Sequence, residues 1–172
     1  MNIGKPRKAT KQILTTIAGL IIILVGIAVS QFVFGHISSP LHFNSHKLPS
    51  NYADNRSNFT ASMKDYADSS DIANSHGDVN QVANLISSSI ASSNKVSDDF
   101  LNYLDPQLKD EYRNKLIRGE QLFLDGLNAN TPTDTIDSPS AKLQTQGIQL
   151  ENEWTNWWNS HHEALTNKAF AN

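Results

Sequence analysis

The sequence predicts an all-α protein: a single N-terminal transmembrane helix followed by a small extracytoplasmic up-and-down bundle of three to four helices. Two observations lead to this prediction. Residues 13–34 form an uncharged apolar run, long enough to cross a hydrocarbon core of about 30 Å as a helix. Beyond residue 50, apolar residues recur at steps of three and four, and no window shows the alternation of a strand.

Four basic residues orient the predicted span. Lys5, Arg7, Lys8 and Lys11 precede it without an acidic residue between them. Positive flanks stay on the cytoplasmic side, so residues 1–12 are expected to be a basic cytoplasmic tail. The predicted localisation is therefore the cell membrane, single-pass, with the C-terminal domain extracytoplasmic and the lipid bilayer as a partner.

The span is expected to be an uncleaved signal-anchor helix. Ala28 and Ser30 have the spacing of a signal-peptidase site, but the apolar run continues to Phe34. The apolar region of a cleaved signal peptide is usually about 7 to 15 residues long. Cleavage after Ser30 is the alternative.

Composition limits what the outer region can do. Four of the 14 basic residues precede the span and all 17 acidic residues follow it. An acidic outer region does not favour nucleic acid or an anionic lipid surface as its partner, because either needs a basic patch. The chain has no cysteine, so disulfides, thiol nucleophiles and thiolate metal sites are excluded.

The outer region is predicted to begin with a juxtamembrane linker at residues 35–50, where Pro40 and Pro49 oppose a continuous helix. The extracytoplasmic helical domain then covers residues 51–172. Its first helix runs from about 51 to 73. The second is predicted to begin at Asp78, which can cap it, and to continue to Leu104.

Proline-marked caps predict the starts of the remaining helices. Asp105 followed by Pro106 is an N-cap with proline at the first helical position, and Ser138 followed by Pro139 repeats the pattern. The fourth helix is expected to run nearly to the C-terminus. Short connections make neighbouring helices antiparallel, which predicts the up-and-down bundle.

Motifs for chemistry are sparse. His42 and His46 have a ligand-like spacing but lie between prolines, and the adjacent His161 and His162 point about 100° apart on a helix. No metal or cofactor is therefore predicted. Acidic pairs such as Asp98 and Asp99 are expected to be solvated. Nucleophile elbows and phosphate-binding loops do not occur, so no catalytic residue and no enzyme is predicted.

Three tryptophans are the candidate binding residues. Trp154, Trp157 and Trp158 lie within about 50° of the apolar face of the fourth helix. A stripe at helical spacing is more often core, which is the favoured interpretation. The alternative is an exposed aromatic platform, or the lining of a ligand pocket.

The leading functional hypothesis is a non-enzymatic, membrane-anchored envelope protein whose outer bundle contacts another envelope protein. The first alternative is an extracytoplasmic ligand-binding or sensing module that uses a tryptophan-lined pocket or platform for an unknown small molecule. A small envelope hydrolase is a less favoured third hypothesis, because the sequence offers neither a nucleophile motif nor a metal constellation.

Overall fold

A computed structural model describes residues 48–170, without the side chain of Phe170. The predicted span at residues 13–34, its basic tail and most of the linker lie outside the described residues. The elements are α1 (Tyr52–Asn74), α2 (Val79–Ser93), α3 (Asp98–Leu104), α4 (Leu108–Glu111), a π-helical segment (Tyr112–Ile117), α5 (Arg118–Ala129) and α6 (Pro139–Phe170). Residues 48–170 thus contain helices and no strand, which confirms the all-α prediction for this region.

No helix within residues 48–170 has the length and apolarity needed to span a membrane.

The bundle consists of two antiparallel hairpins. α1 packs mainly on α2, and α5 packs mainly on α6. The Tyr52 hydroxyl donates to the Ala169 carbonyl at 2.7 Å, so the first and last helices meet at the end of the bundle where the described chain begins. We call this the near end. The far end carries the two loops at residues 75–78 and 130–138.

The turn between α1 and α2 follows local chemistry. The N–H of Gly77 donates to the Ile72 carbonyl at 2.8 Å, and that of His76 donates to the Ala73 carbonyl at 3.1 Å. These two bonds form a Schellman motif, in which His76 takes the left-handed position with φ 57°. Asp78 then accepts from the Asn80 N–H at 2.9 Å, which confirms the predicted cap.

The prediction that the second helix continues to Leu104 is wrong. α2 ends at Ser93, and α3 starts anew after Ser97, whose hydroxyl accepts from the Phe100 N–H at 3.2 Å. The Arg113 guanidinium donates to the Ser93 carbonyl at 2.9 Å and to the Val96 carbonyl. The break is stabilised because a side chain distant in sequence satisfies backbone groups that the helix would otherwise satisfy.

Of the two proline-marked caps, the one at Ser138 is present as predicted, whereas the prediction that Asp105 is an N-cap with Pro106 at the first helical position is wrong. The Asp105 carboxylate accepts from the Gln107 N–H at 2.7 Å, although the helix itself begins only at Leu108. The Ser138 hydroxyl accepts from the Ala141 N–H at 3.2 Å at the start of α6. Ser138 therefore caps the start of α6 as the sequence predicts, whereas Asp105 stabilises a turn that precedes α4.

The buried apolar residues form two separate cores. The near core is large and rich in aromatic rings, and its largest members are Phe59, Tyr66, Phe100, Tyr112, Trp154 and Trp158. The far core has only Val82, Ile86 and Phe123 as buried members, with half-buried aliphatic residues around them. The far end is therefore held by much less buried apolar surface than the near end.

Glycines allow α5 and α6 to approach closely. A Cβ placed on Gly147 would lie 2.6 Å from the Gly119 carbonyl oxygen and 2.7 Å from the Phe123 nitrogen. One placed on Gly126 would lie 2.6 Å from the Ser140 carbonyl oxygen. The two backbones are thus in contact at this crossing, where no larger side chain fits.

Candidate functional site

The structure separates the three tryptophans. Trp154 and Trp158 are each only 1% exposed, and their rings stack at 5.4 Å. The exposed-platform alternative therefore does not hold for these two, because their rings fill the near core. Trp157 is half-buried and stacks on Trp154 at 5.6 Å from the outer side.

A rigid aromatic pair remains at the surface. The His161 ring lies parallel to the Trp157 ring, 4.4 Å away and inclined by 10°. The His161 Nδ1 is 2.7 Å from the Trp157 carbonyl oxygen, which fixes the orientation of the imidazole. We call Trp157 and His161 the stacked pair. Exposed Asn156 and Ser160 lie beside it on the same helix.

The structure does not describe the predicted membrane-orienting residues or the histidines of the linker. Lys5, Arg7, Lys8 and Lys11, like His42 and His46, lie outside the described residues. Between residues 48 and 170, no group of three or more histidine or acidic residues is arranged to hold a metal ion.

Polar side chains cross the bundle between its two cores. The Tyr112 hydroxyl hydrogen-bonds the Ser93 hydroxyl at 2.8 Å and also the Ser62 hydroxyl. The Ser89 hydroxyl donates to the Ser62 carbonyl at 3.1 Å. On the other side, the Tyr66 hydroxyl lies 3.0 Å from the Thr155 hydroxyl. Burial raises the pKa of both tyrosines, so these hydroxyls are neutral hydrogen-bonding groups.

Two acidic side chains complete this layer, and neither was identified from the sequence. Glu120 is 0% exposed, and both of its carboxyl oxygens are without a hydrogen-bond partner among residues 48–170. Burial raises the pKa of Glu120 well above its usual range, the nearby Ser89 hydroxyl lowers it in part, and the charges of Glu151 and Asp65 raise it further. Glu151 is half-buried, and one of its carboxyl oxygens is buried without a hydrogen-bond partner among residues 48–170. Burial also raises its pKa to about 8. We call Glu120 and Glu151 the acidic pair.

The π-helical segment explains why Glu120 faces inward. In an uninterrupted α-helix, the side chain of Glu120 would lie about 120° away from the helix face that carries Leu108. A π-helical segment adds one residue to the helical turn, so the side chain of Glu120 is rotated back by about 100°. Leu108, Tyr112, Leu116 and Glu120 are accordingly all buried. Their repeated four-residue step was the available sequence signal.

Two recesses open on the bundle, and one of them lies beside the acidic pair. One of about 30 Å³ opens beside Glu151, between α1, α2, α5 and α6, and it is large enough for one or two water molecules. A second, of about 250 Å³, is lined at the near end by polar residues that include Asp54, Lys95 and Asp99. Neither of these two recesses has a tryptophan in its wall.

The fold and the site together define a small all-helical bundle with a buried acidic layer and a stacked aromatic pair on its surface. No protein-family model, curated protein or solved structure matches the chain.

Proposed function

We propose that this chain is a non-enzymatic, single-pass membrane protein whose outer helical bundle contacts another protein of the cell envelope. The anchor is the uncharged run at residues 13–34, and the basic residues Lys5, Arg7, Lys8 and Lys11 before it support a cytoplasmic N-terminus. In this proposal the protein consists of one transmembrane helix followed by the up-and-down bundle.

The stacked pair is the observation that carries the contact. Trp157 and His161 present a preformed aromatic surface, because ring stacking and the bond from His161 to the Trp157 carbonyl hold both rings. Rigid aromatic side chains commonly anchor protein interfaces, since they bury a large area at a low entropic cost. The neighbouring exposed side chains of Asn156 and Ser160 are uncharged and polar, as the rim around such an anchor usually is.

Affinity purification from native membranes tests this proposal. Full-length protein with a tag is compared with the His161→Ala and Trp157→Ala variants, and the copurifying proteins are quantified. We expect both variants to lose a partner that the parent retains, while their melting temperatures show that the bundle is still folded. Gln146→Ala, at an exposed position on the same helix and about three turns from Trp157, is the matched control and should retain the partner.

The result that contradicts the proposal is equally specific. If folded His161→Ala and Trp157→Ala variants retain every protein that copurifies with the parent, the stacked pair is not the contact. Ile136, in the far-end loop, is 59% exposed, and Ile136→Ala serves as a second comparison. Loss of the partner in that variant alone would overturn the assignment and place the contact at the far end.

A further inference from the structure

The interface between the two hairpins is held unevenly. At the near end it contains the aromatic core and the bond from the Tyr52 hydroxyl to the Ala169 carbonyl. At the far end its buried apolar residues are Val82, Ile86 and Phe123. We therefore expect the hairpins to separate more easily at the far end, where less apolar surface holds them together.

The acidic pair lies between these two regions. Glu120 reaches into the interface from α5, and Glu151 reaches into it from α6. The titratable groups that face Glu120 from the packed helices are Asp65 and Tyr66 on α1, Glu151 on α6 and Tyr112 on its own helical run. α2 contributes the uncharged Ser89 hydroxyl, which donates to the Ser62 carbonyl at 3.1 Å and lies near enough to Glu120 to lower the pKa of that carboxyl in part.

All of these facing groups are acidic or neutral, so none of them supplies a positive charge to Glu120, and the Ser89 hydroxyl offsets burial only in part. A carboxylate that is buried without a cation or a hydrogen-bond donor is strongly unfavourable. The closed interface therefore strongly favours a neutral Glu120, which is 0% exposed. It favours a neutral Glu151 less strongly, because that side chain is only half-buried and lines a recess. The water-sized recess beside Glu151 provides a place where water can enter when the charge appears.

We propose that the acidic pair is a proton-operated latch, which holds the two hairpins together while Glu120 and Glu151 are neutral and opens the far end when they ionise. This inference is independent of the contact proposed for the stacked pair. The pKa of Glu151, raised to about 8, places its ionisation on the alkaline side of neutrality, and the ionisation of either group opposes that of the other.

Distances between spin labels test the latch directly. The native chain has no cysteine, so two introduced cysteines carry the only labels. Asn80 on α2 and Asn128 on α5 are exposed at the far end, and Asn94 and Ser160 are exposed nearer the other end. Each pair is measured in the full-length protein in lipid nanodiscs at pH 6 and pH 9.

We expect the far pair (Asn80→Cys with Asn128→Cys) to give one short distance at pH 6 and a longer, broader distribution at pH 9. The near pair (Asn94→Cys with Ser160→Cys) should be unchanged. In the Glu120→Gln background the far pair should stay short at pH 9, because the amide cannot ionise. Glu153→Gln, which alters an exposed acid on α6, is the matched control and should still open.

Two outcomes would overturn the latch. One is a far-pair distribution that is identical at pH 6 and pH 9. The other is opening of a folded Glu120→Gln variant to the same extent as the parent. Glu151→Gln gives a second, independent substitution of the pair, and its melting temperature at pH 6 shows whether the bundle has remained folded.

Discussion

Trp154 lies where α6 meets the π-helical segment, and its ring contacts aromatic rings on three sides. Tyr112 meets it edge-on at 5.8 Å, and Trp158 and Trp157 stack on it at 5.4 and 5.6 Å. We predict that Trp154→Ala lowers the free energy of unfolding by about 3 to 5 kcal/mol, because a large cavity replaces a buried ring. Small domains have only about 5 to 15 kcal/mol in total, so this variant should be close to unfolding.

Urea denaturation followed by circular dichroism measures this effect. Trp157→Ala is the natural control, since its ring is only half-buried, and it should cost clearly less. Trp158 is as buried as Trp154, so its alanine variant belongs with Trp154 and not with Trp157. A Trp154→Ala protein that unfolds at the parent's urea concentration would refute the assignment of this ring to the core.

The burial of Glu120 predicts that the free energy of unfolding depends on pH. In the unfolded chain its pKa is near the usual 4.5, whereas burial raises it well above that value in the folded protein. Above pH 4.5 the folded state therefore binds more protons than the unfolded state, so the free energy of unfolding falls as pH rises. The slope is up to about 1.4 kcal/mol per pH unit for each such group. Glu151, whose pKa in the folded protein is about 8, contributes to this fall in stability up to that pH.

Urea denaturation at pH 5, 6, 7 and 8 should show this decline, and Glu120→Gln should make it shallower. The lowered pKa values of Asp134 and Glu153 affect stability below about pH 4.5, so this range isolates the acidic pair. A parent whose stability rises between pH 5 and pH 8 would show that these carboxyls are not buried in the neutral form.

At the scale of the elements, the crossing of α5 and α6 depends on glycine. A methyl group on Gly147 would meet the backbone of Gly119 and Phe123 at distances below 3.0 Å, and the backbone cannot yield as a side chain can. We predict that Gly147→Ala costs about 1 to 3 kcal/mol through overpacking, although alanine is the better helix former. Gln146→Ala, at the exposed neighbouring position, should change stability by less than about 0.5 kcal/mol.

Thermal unfolding of the two variants distinguishes packing from helix propensity. If propensity dominated, both substitutions would raise the melting temperature. A Gly147→Ala variant that melts above the parent would mean that α5 and α6 are farther apart than the structure places them.

The helix starts could be predicted because their causes are local. Asp78 and Ser138 each satisfy a backbone N–H two or three residues ahead in the helix that follows, and that chemistry is visible in a few consecutive residues. Asp105 satisfies the Gln107 N–H only within a turn before Leu108. The break after Ser93 could not be predicted in this way. It depends on Arg113, whose guanidinium reaches back to the Ser93 and Val96 carbonyls from another element.

The candidate site was predictable only in part, for the same reason. The helical stripe placed the tryptophans on one face, but only the packing shows that Trp154 and Trp158 are interior while Trp157 meets His161 at the surface. The sequence did not predict the acidic pair, because a single glutamate on a helix is usually solvated. Its burial follows from the π-helical segment, which changes which side of the run faces the bundle.

At the scale of the whole molecule, the bundle's near end is where an anchor would join it. The described chain begins at residue 48, close to the C-terminal end of α6, as the bond from Tyr52 to Ala169 shows. The intervening residues 35–47 can extend about 3.3 to 3.6 Å each. Under the proposed anchor, the stacked pair would lie on the side of a bundle tethered within about 45 Å of the bilayer.

This arrangement predicts a definite topology for the full-length protein. A reporter that is active only outside the cytoplasm should be active when fused after Asn172 and inactive when fused before Met1, because the positive flank keeps the N-terminus inside. Replacing Lys5, Arg7, Lys8 and Lys11 by glutamine should reduce the active fraction of the C-terminal fusion, since these four charges set the orientation. Mass spectrometry of the membrane fraction should recover peptides from residues 1–30, as expected of an uncleaved anchor. Recovery of a soluble form that begins at Gln31, or activity of the C-terminal reporter in the cytoplasm, would refute the anchored topology, and the envelope contact proposed for Trp157 and His161 would then lose its basis.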